Sequence, residues 1–310
     1  MAAVGHTGPF AEPDRTRFID VNRTRLRAWC WGDPTAPPVL LLHGAHDHGR
    51  MWDDFAPRFA ALGFHAVAVD FRGHGDSGRI ASGMMWTAAT LDVCELARLL
   101  ADEAGTPGEP IGVIGHSMGG GQALSAAGTA PDRFAWLVNL DGLGPPAEAF
   151  PDFEPVEGTT AALDQIAKAL GRPVRVWASQ DEMATRRGSI NIRLPRRFLD
   201  HLVEHGSVET EGGFVWKTDP VFNLGVPDGF SIDMILAGYE DVAVPVLALM
   251  SSEDDAWTEV SDDEVERRVA ALPDARWRSV PNAGHYVHVE NPDFVLAEIE
   301  AFLRAQQVLS

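Results

Sequence analysis

Short, continuous hydrophobic runs alternate with amphipathic segments along most of the chain. The runs Val39–Leu42, Ala66–Val69 and Ile111–Ile114 contain no polar side chain, which is typical of strands buried on both faces of a parallel sheet. Between such runs, Thr87–Ala104 carries leucines at helical spacing. This alternation predicts an α/β fold, in which a mostly parallel sheet is covered by helices on both faces.

The same two patterns continue toward the C-terminus, and a hairpin opens the chain. A β-branched and aromatic stretch over Phe18–Trp31, interrupted at Asn22-Arg23, predicts two antiparallel strands. Further strands are predicted at Phe134–Leu140, Val242–Met250 and Arg276–Val280. Further helices are predicted at Arg50–Leu62, Met118–Gly128, Asp262–Leu272 and Pro292–Gln306.

The alternation of strand and helix is interrupted between residues 144 and 239. This stretch begins with an acidic, proline-rich loop and contains no consistent buried strand. Its patterns predict helices at Thr160–Leu170, Asp181–Ile190 and Pro195–His205, and a hairpin at Thr210–Trp216. We therefore expect a core formed by residues 1–143 and 240–310 and a mostly helical lid, or cap, formed by residues 144–239.

Composition and charge narrow the classes of partner. The 310 residues include 45 acidic and 25 basic side chains, which give a formal net charge of −20, and the basic residues are scattered. An anionic surface repels phosphate, so no binding to nucleic acid is expected. The chain has neither a signal-peptide pattern nor a hydrophobic run of about 18 residues, so we expect a soluble, cytoplasmic protein without a membrane partner. The oligomeric state stays open.

One serine lies in a pattern that serves nucleophilic catalysis. Gly115-His116-Ser117-Met118-Gly119 follows a predicted buried strand and precedes a helix of small residues. A serine on so sharp a turn needs glycine two positions before and after it, because larger side chains would clash. The pattern therefore predicts Ser117 as the nucleophile, with its hydroxyl held clear of the sheet.

A serine hydroxyl needs a base, and that base needs an acid to orient it. His285 follows the predicted strand Arg276–Val280, at the sheet edge where ligands of α/β proteins bind. Asp254 follows the strand before that one, so we predict it as the acid, because the order Ser, Asp, His is usual for this architecture. Asp255 and Asp141 remain alternatives.

An oxyanion formed on the substrate needs hydrogen-bond donors. The backbone N–H of Met118, directly after the nucleophile, is predicted as one donor. The other is expected from the loop after Val39–Leu42, most simply the N–H of Ala45. No cofactor and no metal are needed for this chemistry.

Four segments carry a family resemblance. They are His43-Gly44, Asp70-Phe71-Arg72-Gly73-His74-Gly75-Asp76-Ser77, Gly115-His116-Ser117-Met118-Gly119-Gly120 and Gly284-His285. Over about residues 18–142 and 242–305 the chain resembles the α/β-hydrolase fold superfamily, and its middle segment is similar to that of the serine hydrolase-like branch. The resemblance implies a carboxylesterase with a Ser-His-Asp triad, in which the Asp70–Ser77 segment is a structural loop. Ser251 departs from the family pattern, where glycine is common, and this loosens the choice between Asp254 and Asp255.

Aromatic residues in the predicted lid favour a small hydrophobic substrate, because such side chains form apolar pocket walls. The predicted substrate-binding residues are His116, Met85, Trp86, Trp177 and Trp216. The same triad would also serve a lactonase or a carbon–carbon bond hydrolase. A non-catalytic ligand-binding member is a rival from another class.

A metallohydrolase is the second rival. His43, His46, Asp47 and His48 are potential metal ligands within six positions. Their spacing departs from the His-x-His-x-Asp-His pattern of metallo-β-lactamase-like enzymes, so we predict no metal.

Overall fold

The computed structural model describes residues 10–79, 86–144, 173–219, 232–256 and 260–309, together with isolated residues at 160, 164, 167, 168 and 171. Within these ranges, no helix is both long enough and apolar enough to span a bilayer. The predicted helix Thr160–Leu170 falls mostly outside the described residues.

An eight-stranded, mostly parallel sheet forms the centre of the fold. The strands are β1 (Arg15–Val21), β2 (Thr24–Trp31), β3 (Pro38–Leu42), β4 (His65–Val69), β5 (Ile111–His116), β6 (Phe134–Leu140), β9 (Val246–Ser251) and β10 (Ala275–Val280). They lie in the order β1-β2-β4-β3-β5-β6-β9-β10, and only the pairs β1–β2 and β2–β4 are antiparallel. The predicted fold class and opening hairpin are confirmed.

Helices cover both faces of this sheet. They are α1 (Ala56–Ala60), α2 (Trp86–Glu103), α3 (Met118–Thr129), α4 (Gln180–Gly188), α5 (Arg196–Gly206), α6 (Ile232–Tyr239), α7 (Asp262–Ala270), α8 (Val287–Glu290) and α9 (Pro292–Ala305). Strand β3 shows why its sequence is hydrophobic throughout. Leu40 and Leu42 join the core that includes α2 and α3, whereas Val39 and Leu41 join the opposite core, which includes α1 and α9.

Proline explains two differences from the predicted elements. In place of the single helix predicted over residues 50–62, the chain forms a short 3-10 turn, Gly49–Trp52, and then the separate helix α1. Pro57 lies in the first turn of α1, where its missing N–H costs no hydrogen bond. Strand β9 begins at Val246 rather than at Val242, because Pro245 cannot donate to a ladder within a central strand.

Between β6 and β9 the chain forms α4, α5 and a two-stranded hairpin of β7 (Ser207–Thr210) and β8 (Gly213–Trp216). We call residues 173–219 the insertion. Ser179 caps α4 by accepting a hydrogen bond from the backbone N–H of Glu182, and Trp177 pairs with Phe214 beside the hairpin. Leu202 on α5 is fully buried against the core that contains α1 and α9. The predicted division into core and lid stays a prediction, because much of residues 144–239 lies outside the described residues.

Candidate active site

Ser117 lies in a strained turn between β5 and α3. Its backbone has φ 54° and ψ −121°, a combination that a residue with a side chain rarely adopts. A Cβ on Gly115 would come within 2.3 Å of the carbonyl oxygen of Gly119, and one on Gly119 would come equally close to that of Leu42. Both glycines are therefore required where the sequence pattern has them, and the turn lifts Ser117 above the end of the sheet.

His285 comes from the loop after β10 and is mostly buried. Its Nδ1 lies 2.7 Å from Oδ2 of Asp141. Its backbone carbonyl lies 2.9 Å from Nε2 of His116, so the residue before Ser117 holds the histidine loop in place. The imidazole is thus fixed by a carboxylate on one nitrogen, as a general base requires.

Asp141 directly follows β6, with a left-handed backbone at φ 50°. Its Oδ1 accepts hydrogen bonds from the backbone N–H of Ser251 at 2.9 Å and from the Ser251 hydroxyl at 3.0 Å. Its other oxygen is left to face His285. The side chain is 6% exposed, so these contacts orient the carboxylate in a largely dry environment.

The structure does not bring Asp254, the predicted acid, to the imidazole of His285. Asp254 is exposed, and Asp141, the third alternative, contacts the imidazole instead. Strands β6 and β9 are parallel neighbours, with Leu140 opposite Leu249, so their following residues reach the same sheet edge. Asp255, the second alternative, accepts hydrogen bonds from the backbone N–H groups of Ala256 and His285, at 2.5 and 3.4 Å. The unexpected Ser251 was the missed signal, because its hydroxyl bonds to Asp141.

Ser117 and His285 open into a cavity of about 550 Å³. Its floor comes from the sheet edge and includes Ala45 and His116. Its opposite wall comes from the insertion. The insertion residues that line the cavity are Pro173, Val174, Arg175, Trp177, Met183, Arg186, Arg187, Ile190, Asn191, Trp216 and Thr218. The arrangement can hold a small molecule against the serine hydroxyl.

This geometry agrees with comparison to known proteins. A sequence profile described as "Alpha/beta hydrolase family" matches residues 39–298. The chain belongs to the alpha/beta hydrolase family. It is 29% identical to a serine hydrolase-like protein of Danio rerio over 285 residues, 91% of this chain and 86% of the relative.

Two further relatives extend the likeness of this alpha/beta hydrolase over nearly its whole length. A 2-(acetamidomethylene)succinate hydrolase of Mesorhizobium japonicum is 25% identical over 291 residues, 94% of this chain and 95% of the relative. The thioesterase domain from the curacin biosynthetic pathway superposes with a TM-score of 0.76 at 20% identity, covering 92% of this chain and 98% of that domain. The structural likeness supports the fold alone.

The predicted substrate-binding residues of this alpha/beta hydrolase divide into three groups. His116, Trp177 and Trp216 line the cavity. Trp86 is not among the lining residues of the described part of the chain, since its indole donates to the Ser125 hydroxyl on α3 at 2.9 Å. Met85 lies outside the described residues. Of the two predicted oxyanion donors, Ala45 lines the cavity, and Met118 is the first residue of α3, where its N–H has no acceptor within the helix.

Sequence reasoning missed a buried ion pair that joins the insertion to the core. Arg187 on α4 donates to Asp47 Oδ1, to the carbonyl of His46 at 3.0 Å and to the Tyr286 hydroxyl at 3.0 Å. Burial raises the pKa of Asp47, and the Arg187 guanidinium opposes that rise. Burial, together with the same guanidinium, lowers the pKa of His46 to about 4, so this histidine is neutral at pH 7. No sequence motif predicts an ion pair between residues this far apart in the chain.

The four proposed metal ligands of the rival interpretation do not converge. Asp47 pairs with Arg187, the His43 ring bonds to the Gly44 carbonyl and the Phe71 N–H, and His48 bonds to the Leu202 carbonyl. Among the described residues, the cluster that could hold a metal is another one, formed by Asp53, His201 and His205. The Arg50 guanidinium already lies within it, bonded to Asp53 at 2.6 Å.

Two fully buried histidines, His74 and His288, predict how the stability of this hydrolase depends on pH. Burial lowers the pKa of His74 to about 4 and that of His288 to about 3. Below pH 6.5 the unfolded chain therefore binds more protons than the native chain. Stability is fully present above pH 6.5 and is lost as the pH falls toward these values, by about 1.4 kcal/mol per histidine per pH unit.

Urea unfolding between pH 7.5 and pH 5 measures this loss. Neither ring nitrogen of His288 has a hydrogen-bond partner among the described residues, and its ring lies 4.7 Å from that of Trp52. His288→Phe should therefore fold. Its free energy of unfolding should fall less steeply with decreasing pH than that of the wild type, by a slope equivalent to about one proton. An identical slope in the variant would contradict the argument.

Proposed function

We infer that this chain is a serine hydrolase that cleaves a carboxylic ester or a related acyl bond of a small substrate through an acyl-enzyme on Ser117. One observation carries the inference. A serine in a strained turn shares a cavity with a histidine whose Nδ1 lies 2.7 Å from a buried aspartate. Family membership and the serine hydrolase-like relative support the same conclusion.

In the proposed mechanism, Ser117 attacks the acyl carbonyl while His285 accepts the hydroxyl proton. Asp141 stabilises the imidazolium that results and keeps the ring in one tautomer. His285 then gives the proton to the leaving group, whose bond to the acyl carbon breaks. In the second half, His285 removes a proton from water, the water oxygen adds to the acyl carbon, and the Ser117 oxygen leaves with the proton returned to it.

The developing oxyanion would be held by the backbone N–H groups of Met118 and Ala45. Two features support this assignment. The N–H of Met118 is at the N-terminus of α3, where the helix dipole favours negative charge. The loop that carries Ala45 follows β3, the immediate neighbour of β5 in the sheet. Each donor of this kind contributes about 2.7–4 kcal/mol to transition-state binding when it is well aimed.

The cavity supports a substrate with an apolar body. Hydrophobic side chains line it on both sides. Those from the insertion are Trp177, Met183, Ile190 and Trp216, and the one from the core is Tyr286. Burial of apolar substrate atoms against such walls stabilises the complex by roughly 25 cal/mol per Å².

Covalent labelling tests the nucleophile. A fluorophosphonate probe should add one phosphonyl group to the wild-type chain, and peptide mass spectrometry should find it on Ser117. Ser117→Ala should remain unlabelled. Labelling at another serine would contradict the proposal, and a complete absence of labelling would favour a non-catalytic binding protein.

A further inference from the structure

The cavity is positively charged, in contrast to the rest of the molecule. The chain has a net charge of −20, yet Arg175, Arg186 and Arg187 line the cavity, and Asp47 is the only acidic residue among its described lining residues. A concave wall with one sign of charge concentrates ligands of the opposite sign. The overall charge of the protein would repel an anion, so the cavity arginines stand out against it.

Asp47 neutralises only one of the three arginines. Its carboxylate pairs with Arg187, and His46 is neutral at pH 7. Arg186 donates to the Ser189 hydroxyl at 3.2 Å, and it forms no ion pair with a carboxylate of the described residues. Arg175 stacks on Trp177, with 3.6 Å between its guanidinium carbon and the ring centroid, and its contact with the exposed Glu182 is long, at 3.7 Å.

Arg187 also retains unused hydrogen-bonding capacity. Its Nε is buried and has no acceptor among the described residues, although both terminal nitrogens are bonded. A buried N–H without a partner destabilises the protein, and a bound acceptor would remove that cost. A guanidinium is the side chain best suited to a planar carboxylate, which it can bind through two parallel hydrogen bonds.

We propose that the natural substrate of this hydrolase carries a carboxylate on an apolar body, and that Arg175 and Arg186 bind this carboxylate while the acyl carbon faces Ser117. The proposal rests on the serine hydrolase function inferred above. It adds a charged group to the small hydrophobic substrate expected from the sequence, because the aromatic walls would hold the apolar body and the arginines its charged end.

A matched pair of substrates tests the proposal. Mono-p-nitrophenyl adipate and methyl p-nitrophenyl adipate share one scissile bond and differ in a single negative charge. The wild-type enzyme should have a kcat/KM about tenfold higher for the acid, since a hydrogen bond to a charged group is stronger than one to a neutral ester. The preference should appear mainly in KM, because the carboxylate is bound equally in the ground state and the transition state.

The double variant Arg175→Gln/Arg186→Gln should lower the ratio of kcat/KM for acid over methyl ester to near one. Arg196→Gln is the matched control, because Arg196 belongs to the same insertion but pairs with Asp181 and Asp200 and is not among the lining residues. This control should keep the wild-type ratio. High salt should reduce the ratio in the wild type by screening the exposed arginines.

The outcomes separate the two proposals. If both esters are hydrolysed at equal rates, or if the double variant keeps the preference, the carboxylate site is wrong and the serine hydrolase function stands. If neither ester is hydrolysed and Ser117 is not labelled by the phosphonate, the function itself is wrong. The carboxylate site would also be wrong if the two esters were hydrolysed at equal rates and both rates rose when phosphatidylserine vesicles were added. That result would favour an anionic lipid surface as the partner of the arginines.

Discussion

Replacement of Ser117 by alanine should lower kcat for p-nitrophenyl ester hydrolysis by at least about 10⁴-fold. The substitution removes the oxygen that forms the acyl-enzyme, and His285 alone has no comparable nucleophile to activate. The cavity and its apolar walls remain, so KM should change much less than kcat. Steady-state kinetics, with background hydrolysis subtracted, measure both parameters.

Ser125→Ala is the control for this prediction. Ser125 lies on α3, the helix that directly follows Ser117. Its hydroxyl accepts a hydrogen bond from Trp86, and it is not among the cavity-lining residues of the described part of the chain. This variant should retain turnover within about threefold, because its change is distant from the reacting atoms. A Ser117→Ala variant that folds and keeps a tenth of the wild-type kcat would rule out the acyl-enzyme.

Asp141→Asn should lower kcat by about 10⁴-fold, the loss expected when the histidine of a serine triad loses its charged partner. The amide is nearly isosteric with the carboxylate, so packing around Ser251 is preserved. However, it no longer stabilises the imidazolium, and it allows the wrong tautomer of His285. The variant should still react slowly with the phosphonate probe, which distinguishes a weakened base from a missing nucleophile.

Asp254→Asn provides the decisive contrast, because Asp254 occupies the position favoured by chain order alone. As an exposed side chain, it should change kcat by less than about twofold. Asp255→Asn should also be mild, since that carboxylate accepts from the backbone N–H of His285, whereas Nδ1 of the imidazole faces Asp141. A large loss in Asp254→Asn together with a small one in Asp141→Asn would reverse the assignment.

The sequence was sufficient for those features that depend on neighbouring residues. Continuous hydrophobic runs predicted the strands β3, β4 and β5, because strands buried on both faces consist mainly of apolar residues. The glycines around Ser117 predicted the turn, since their spacing is dictated by clashes within one loop. Constraints of this kind act between residues close in sequence, so they can be recognised without coordinates.

Features that depend on which strands are neighbours in the sheet could not be predicted from the sequence in this way. Asp141 and Ser251 are 110 positions apart, and only the pairing of β6 with β9 brings them together. The arginines of the insertion raise the same difficulty. Arg186 and Arg187 look like ordinary surface residues of a polar helix, until the helix is packed against the loop that carries Asp47.

The contacts of Arg187 also bear on how the cavity wall moves. This arginine donates a hydrogen bond to the carbonyl of His46, the residue next to Ala45, and forms an ion pair with Asp47. Moving α4 away from the core would remove the guanidinium from the buried Asp47 carboxylate and leave the Tyr286 hydroxyl as its donor. Loss of one partner of a buried ion pair costs about 3–5 kcal/mol. The same movement would break the hydrogen bond to the carbonyl of His46, in the loop of the proposed oxyanion donor. We therefore expect α4 and the loop after β3 to move together rather than independently, so that a change in the cavity wall is felt at the proposed oxyanion donor.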